Sequence, residues 1–109
     1  MNTKIEYLYR DASNYKKINQ VIVSGTFDEA QKESIRDCLF EGEYFIPRQV
    51  GFPETRFDKL TEDDHCWVEV SVENFSVTSL PAEIKMSVED VVNAFLAAKD
   101  NWDDSIKLA

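Results

Sequence analysis

Parts of the chain alternate apolar and polar residues one by one, and others space their apolar residues three and four apart. In KIEYLYR, 4–10, Ile5, Tyr7 and Tyr9 fall on one side, and Glu6, Leu8 and Arg10 on the other. A period of two in β-favouring residues predicts a strand. INQVIVSG, 18–25, is rich in β-branched residues and closed by Gly25, which predicts a second strand. The Asp, Ser and Asn of DASNY, 11–15, predict the loop between them, so the two strands can pair antiparallel.

The period then changes. Thr26 and Glu29 have capping-box spacing, and Asp28 and Glu29 suit the positive end of a helix. Ile35, Cys38 and Leu39 recur at helical spacing and Gly42 offers a stop, which predicts a helix over 27–41. In EYFIPRQVGFPETRF, 43–57, Pro47, Gly51 and Pro53 interrupt the apolar run. The reading there is a short strand at 43–46 and then a loop laid over the core. HCWVEVSV, 65–72, alternates again: Cys66, Val68, Val70 and Val72 face one way, and Trp67, Glu69, Ser71 and Glu73 the other. NFSVTSL, 74–80, reads as a return strand ended by Pro81.

Ser87 and Asp90 repeat the capping pattern ahead of an apolar stripe of Val88, Val91, Val92, Phe95 and Leu96, which predicts a helix over 88–99. NWDDSIKLA predicts a short third helix capped by Asn101 and docked by Trp102 and Ile106. The order β-β-α-β-β-α-α predicts an α+β fold, an antiparallel sheet of about four strands with two to three helices packed on one face. It fits one domain over 1–109, in which 87–109 can stand as a C-terminal helical extension.

Composition narrows the function classes. At 43% hydrophobic and 12% aromatic, the 109 residues can bury a core, so the chain is not a disordered acidic tail. With three glycines it has no glycine-rich phosphate loop, no dinucleotide fingerprint and no G-x-S-x-G elbow. No cofactor is implied. The N-terminal residues hold no apolar run long enough for a signal peptide or a membrane span, so a cytoplasmic protein is expected. Cys38 and Cys66 are too few for a disulfide framework and read as buried thiols.

The net charge of −9 is unevenly placed. Residues 1–59 hold nine Lys/Arg against ten Asp/Glu, a balance of −1; residues 60–109 hold three against eleven, a balance of −8. Phosphates need cations, so direct binding to nucleic acid is disfavoured. An acidic surface attracts basic partners instead.

EDDHCW, 62–67, gathers three carboxylates, the only histidine, a cysteine and a tryptophan. Strand neighbours point to opposite faces, so Asp63, Asp64, His65 and Cys66 cannot all converge on one metal ion. Asp63 with His65 is one same-face pair, and no second pair accompanies it. Adjacent Cys66 and His65 splay apart and make a poor dyad. Cys38, on a helix's apolar stripe, is expected in the core, where a thiol reacts little. The preferred reading is a polar turn entering a strand, with Trp67 on the face opposite Cys66. No catalytic or metal-binding residue is assigned.

YLYRDASNYK (7–16), GEYFIPRQVGFPETRF (42–57) and DDHCWVE (63–69) together resemble a set of small uncharacterised bacterial proteins. That set shares a Y-R-D-A-S-N-Y-K opening, a G-E-Y-F-I-P-x-Q-V-G-x-P-x-x-R-F block and a D-D-H-x-W segment. The resemblance covers roughly residues 4–69. It implies no activity and no site residue.

Three functions compete. The first is an interaction module binding another macromolecule, a protein by preference, through an aromatic and arginine surface. Its candidate binding residues are Tyr9, Tyr15, Arg48, Arg56, His65 and Trp67, because polar and aromatic residues in irregular segments suit recognition. The second is a phage-type acidic inhibitor, or nucleic-acid mimic, of a basic enzyme. The third is a small enzyme with Asp64 and His65 as acid–base groups beside Arg10 or Arg48.

Overall fold

The structure, a computed structural model, describes residues 1–10, 16–53 and 67–103. Its elements run β1 (Asn2–Arg10), β2 (Lys16–Ser24), α1 (Glu29–Cys38), β3 (Tyr44–Phe45), α2 (Pro47–Val50), β4 (Val68–Glu69), a 3-10 turn (Val72–Asn74), β5 (Ser76–Thr78) and α3 (Val88–Ala98). The strands form one antiparallel sheet in the order β2-β1-β4-β3, with β5 also pairing β1. This is the expected α+β fold.

β1 organises the sheet. Its alternation places Ile5, Tyr7 and Tyr9 in the core, while Glu6 is exposed and Lys4, Leu8 and Arg10 are half-buried on the other face. β2 pairs β1 along its whole length, from Asn2 opposite Ser24 to Arg10 opposite Lys16. β1's second edge is shared: Leu8 faces Glu69 of β4, and Lys4 faces Ser76 of β5. Four steps along β1 therefore correspond to seven along its neighbour, from 69 to 76. The three extra residues are taken up by the bulge that contains the 3-10 turn, with Val72 buried as its anchor.

Two expectations are corrected here. The 74–80 segment does not return along 65–72, because β5 pairs β1 and not β4. Strand pairing in the 65–72 segment is confined to Val68–Glu69 among the described residues. The alternation still reports burial: Val68, Val70 and Val72 are buried, and Trp67, Glu69 and Ser71 are half-buried.

α1 starts two residues later than expected. Asp28, not Thr26, is its N-cap: Asp28 Oδ1 accepts from the Gln31 N–H, and Gln31 Oε1 accepts from the Asp28 N–H. The Ser87–Asp90 box at the head of α3 is formed as the spacing predicts. α2 replaces part of the expected loop. Pro47 opens it, where a missing N–H costs nothing, and Gly51 closes it at φ 82°, a conformation that disfavours a side chain. Residues 101–103 are not helical, and 104–109, with Ile106, lie outside the described residues.

An aromatic cluster welds the helices to the sheet. Tyr7 of β1 meets Phe45 edge-on at 5.5 Å and stacks on Phe52 at 5.8 Å. Phe95 of α3 lies 5.4 Å from Phe45 and 6.2 Å from Phe52. The buried Tyr7 hydroxyl donates to the Pro53 carbonyl at 2.5 Å, so its burial leaves no orphaned polar group. α3 thus shares the core of the sheet.

Candidate functional site

The turn that follows α1 separates two hollows. Leu39 lines both. The chain folds back tightly here because the Phe40 carbonyl accepts from the N–H groups of Glu43 and Tyr44, while the Tyr44 carbonyl accepts from Phe40. Gly42 takes φ 78° in this turn.

The first hollow, of about 500 Å³, lies over the bulge. Glu6, Glu43, Glu69 and Glu73 line it together with Leu8, Ile18 and Arg36. Its charge is partly answered from within. Arg36 Nη2 donates to Glu73 Oε1 at 2.7 Å and Arg36 Nη1 donates to Glu33; Arg10 Nε donates to Glu69 Oε2 at 3.0 Å. Hydrogen bonds from Ser71 and Arg36 hold the Glu73 carboxyl down to about 2. Nearby, the Glu43 carboxylate is the main cause that pushes the Tyr44 hydroxyl above its ordinary value.

The second hollow, of about 440 Å³, lies where the C-terminal ends of α1 and α3 meet. Its walls are Phe40, Trp67 and Trp102, with Asp37, Glu41, Lys99 and Asp100 around them and Cys38 behind. Phe40 and Trp67 stack at 4.9 Å with planes 29° apart; Trp102 leans on Trp67 at 6.2 Å and 60°. Phe40 is 48% exposed, unusual for so large an apolar ring.

Trp102 is held from several sides. Its indole N–H donates to the Cys38 carbonyl at 2.9 Å, which satisfies one carbonyl left open by the end of α1. Its ring meets Phe95 edge-on at 6.1 Å. The adjoining backbone is clamped by Gln49 of α2, whose amide donates to the Asn101 carbonyl at 3.1 Å and accepts from the Asp103 N–H at 2.8 Å. Cys38 itself is buried, and burial is the main cause that raises its thiol pKa, as expected of a core cysteine.

The sequence-predicted residues that the structure describes, Tyr9, Arg48 and Trp67, lie in different surroundings. Tyr9 is 0% exposed, so it offers no surface to a partner; its place on the inward face of β1 decides this. Arg48 is exposed on α2. Trp67 is half-buried in the second hollow. Tyr15, Arg56 and His65 lie outside the described residues, as do Asp63, Asp64 and Cys66. Arg10 pairs with Glu69.

Phe40 and Trp102 were not among the expected binding residues. Phe40 follows the apolar stripe of α1 and reads as its continuation, and Trp102 reads as a helix dock. Their shared hollow arises only from tertiary packing of the two helix ends.

Among the described residues, no group of three His, Cys, Asp or Glu could hold a metal ion, and no helix is long and apolar enough to cross a membrane. Comparison with known protein families, with curated proteins and with solved structures finds no match to this chain.

Proposed function

We propose that this protein is an interaction module that binds another protein through the hollow walled by Phe40, Trp67 and Trp102. One observation carries the reading: a stacked, partly exposed aromatic pair stands at an open concavity beside carboxylates. Aromatic anchors in concave, rimmed pockets supply most of the energy of protein interfaces. The surface has moved from the one the sequence pattern suggested. Trp67 stays in it, Tyr9 leaves it, and Phe40 and Trp102 enter.

The reading as an acidic mimic draws on the four glutamates of the first hollow. Arg36 and Arg10 already occupy two of them, which weakens the resemblance to a row of free phosphates. No described residue favours the enzyme reading. The three sequence blocks that resemble the bacterial set add no residue role.

The test is affinity capture with the full chain carrying Phe40→Ala and Trp67→Ala, alongside the wild type and Val77→Ser, which alters an exposed residue of β5. A partner recovered by the wild type and by Val77→Ser should be lost from the aromatic double variant. Equal recovery by all three would remove the second hollow from the interface.

A further inference from the structure

We propose that the hollow between Phe40, Trp67 and Trp102 receives an arginine side chain of the partner protein, its guanidinium laid against the aromatic rings and its N–H groups directed to the carboxylates of Asp37, Glu41 and Asp100. This rests on the reading of the protein as an interaction module and specifies what that module recognises.

Three independent features give the hollow a preference for a cation. The first is its aromatic wall. An indole face attracts a positive charge through its quadrupole, most strongly when the cation is partly removed from water. Both tryptophans of the chain stand here, beside the exposed ring of Phe40. The second is its side-chain charge: three exposed carboxylates, Asp37, Glu41 and Asp100, against the single ammonium of Lys99.

The third is the backbone. α1 ends at Cys38 and α3 at Ala98, so two helix C-termini adjoin the same hollow. Each carries a partial negative charge, which favours a cation and disfavours an acid. The chain nevertheless places Asp37 in the last turn of α1, and Glu41 and Asp100 just past the two ends. Glu41 also holds the left-handed conformation, at φ 54°, where glycine or asparagine would sit at lower cost; Asp100, at φ 62°, is of a type that tolerates it. Acids at these positions work against the helix termini, and Glu41 works against its backbone conformation as well. A cation bound between them reverses the electrostatic part of that cost.

Guanidinium fits better than ammonium. It is planar, so it can lie on a ring face. It is weakly hydrated, so it enters an aromatic recess with little loss. It offers five N–H donors in one plane to carboxylates that stand apart, where an ammonium concentrates its charge at one strongly hydrated point.

Because both tryptophans line the hollow, the intrinsic fluorescence of the full chain reports on it directly. The probes are three capped peptides, Gly-Arg-Gly, Gly-Lys-Gly and Gly-citrulline-Gly. Citrulline keeps the shape of arginine without its charge. The arginine peptide should give a saturable change, the lysine peptide a several-fold weaker one, and the citrulline peptide one weaker by about tenfold or more.

The double variant Glu41→Gln with Asp100→Asn should weaken arginine binding by about tenfold. It leaves the rings in place, and asparagine tolerates the left-handed backbone at position 100. A cooperative melt at or above the wild-type temperature shows that this variant is folded, since it removes two acids from helix C-termini. Citrulline binding as tightly as arginine, lysine equalling arginine, or no saturable signal with arginine would each overturn the proposal. If the aromatic double variant still loses its captured partner in any of these cases, the interaction reading stands and only the arginine assignment falls.

Discussion

Glu73 shows how a largely exposed carboxylate can be committed to the native state. It sits in the bulge, accepts from Ser71 Oγ at 2.6 Å and from Arg36 at 2.7 Å, and has its pKa lowered from 4.5 to about 2. A depressed native pKa stabilises the fold above the unfolded value, and that contribution is lost as pH falls through the native one. Glu73→Gln should therefore lower the melting temperature at pH 7. The gap from wild type should narrow as pH drops from about 4.5 and close near 2. A pH-independent gap in thermal melts would show that the loss is one of shape and not of charge. Cys38 makes the opposite case, a reactive group silenced by burial. In a Cys66→Ser background it should resist a thiol reagent in the folded protein and react fully in urea. Rapid native labelling would contradict its packing. The inert Cys38 was legible from its helical spacing. The buried Tyr9 was legible too, because the alternation that predicts β1 also assigns Tyr9 to the face of Ile5 and Tyr7; only its residue type suits a binding surface.

At the scale of elements, local signals suffice where the chain decides locally. The Ser87–Asp90 box marks the first turn of α3, and Ser87→Ala should cost about 1 kcal/mol in urea denaturation. Asp28→Ala should cost a similar amount, about 1 kcal/mol, whereas Thr26→Ala should cost little, since Asp28 makes both cap bonds. A larger loss for Thr26→Ala would place the start of α1 where the sequence spacing alone suggested. Pairing was less legible. The alternation in 65–72 correctly marks Val68, Val70 and Val72 as inward, yet it cannot say which edge accepts the chain. The bulge at Val72–Asn74 transfers the following residues to the other end of β1. Register shifts of that kind depend on what the opposite strand offers, which no window of local sequence contains. The second hollow was hidden for the same reason. Phe40, Trp67 and Trp102 are far apart in sequence, and only the convergence of the ends of α1 and α3 brings them within ring contact.

Across the whole molecule, the surplus of acids sets a cost that the fold must carry. Twenty-one Asp and Glu face twelve Lys and Arg, and the short-range ion pairs Arg10–Glu69, Arg36–Glu33 and Arg36–Glu73 engage Arg10 and Arg36 without changing the total. The uncompensated charges repel over distances set by the ionic atmosphere: a Debye length of about 30 Å at 0.01 M salt, and about 8 Å at 0.15 M. Close pairs at 3 Å lie well inside either length, so salt weakens the long-range repulsion more than the attraction. The melting temperature should therefore rise as monovalent salt is added over that range. Binding of an arginine peptide to the second hollow should weaken over the same range, because the field that attracts the guanidinium belongs to the same surplus. The two trends run in opposite directions in one sample, so a general salting effect cannot produce both. A melting temperature that falls with salt would mean that the ion pairs outweigh the net charge. Peptide binding indifferent to salt would mean that the aromatic wall acts without the carboxylates beside it.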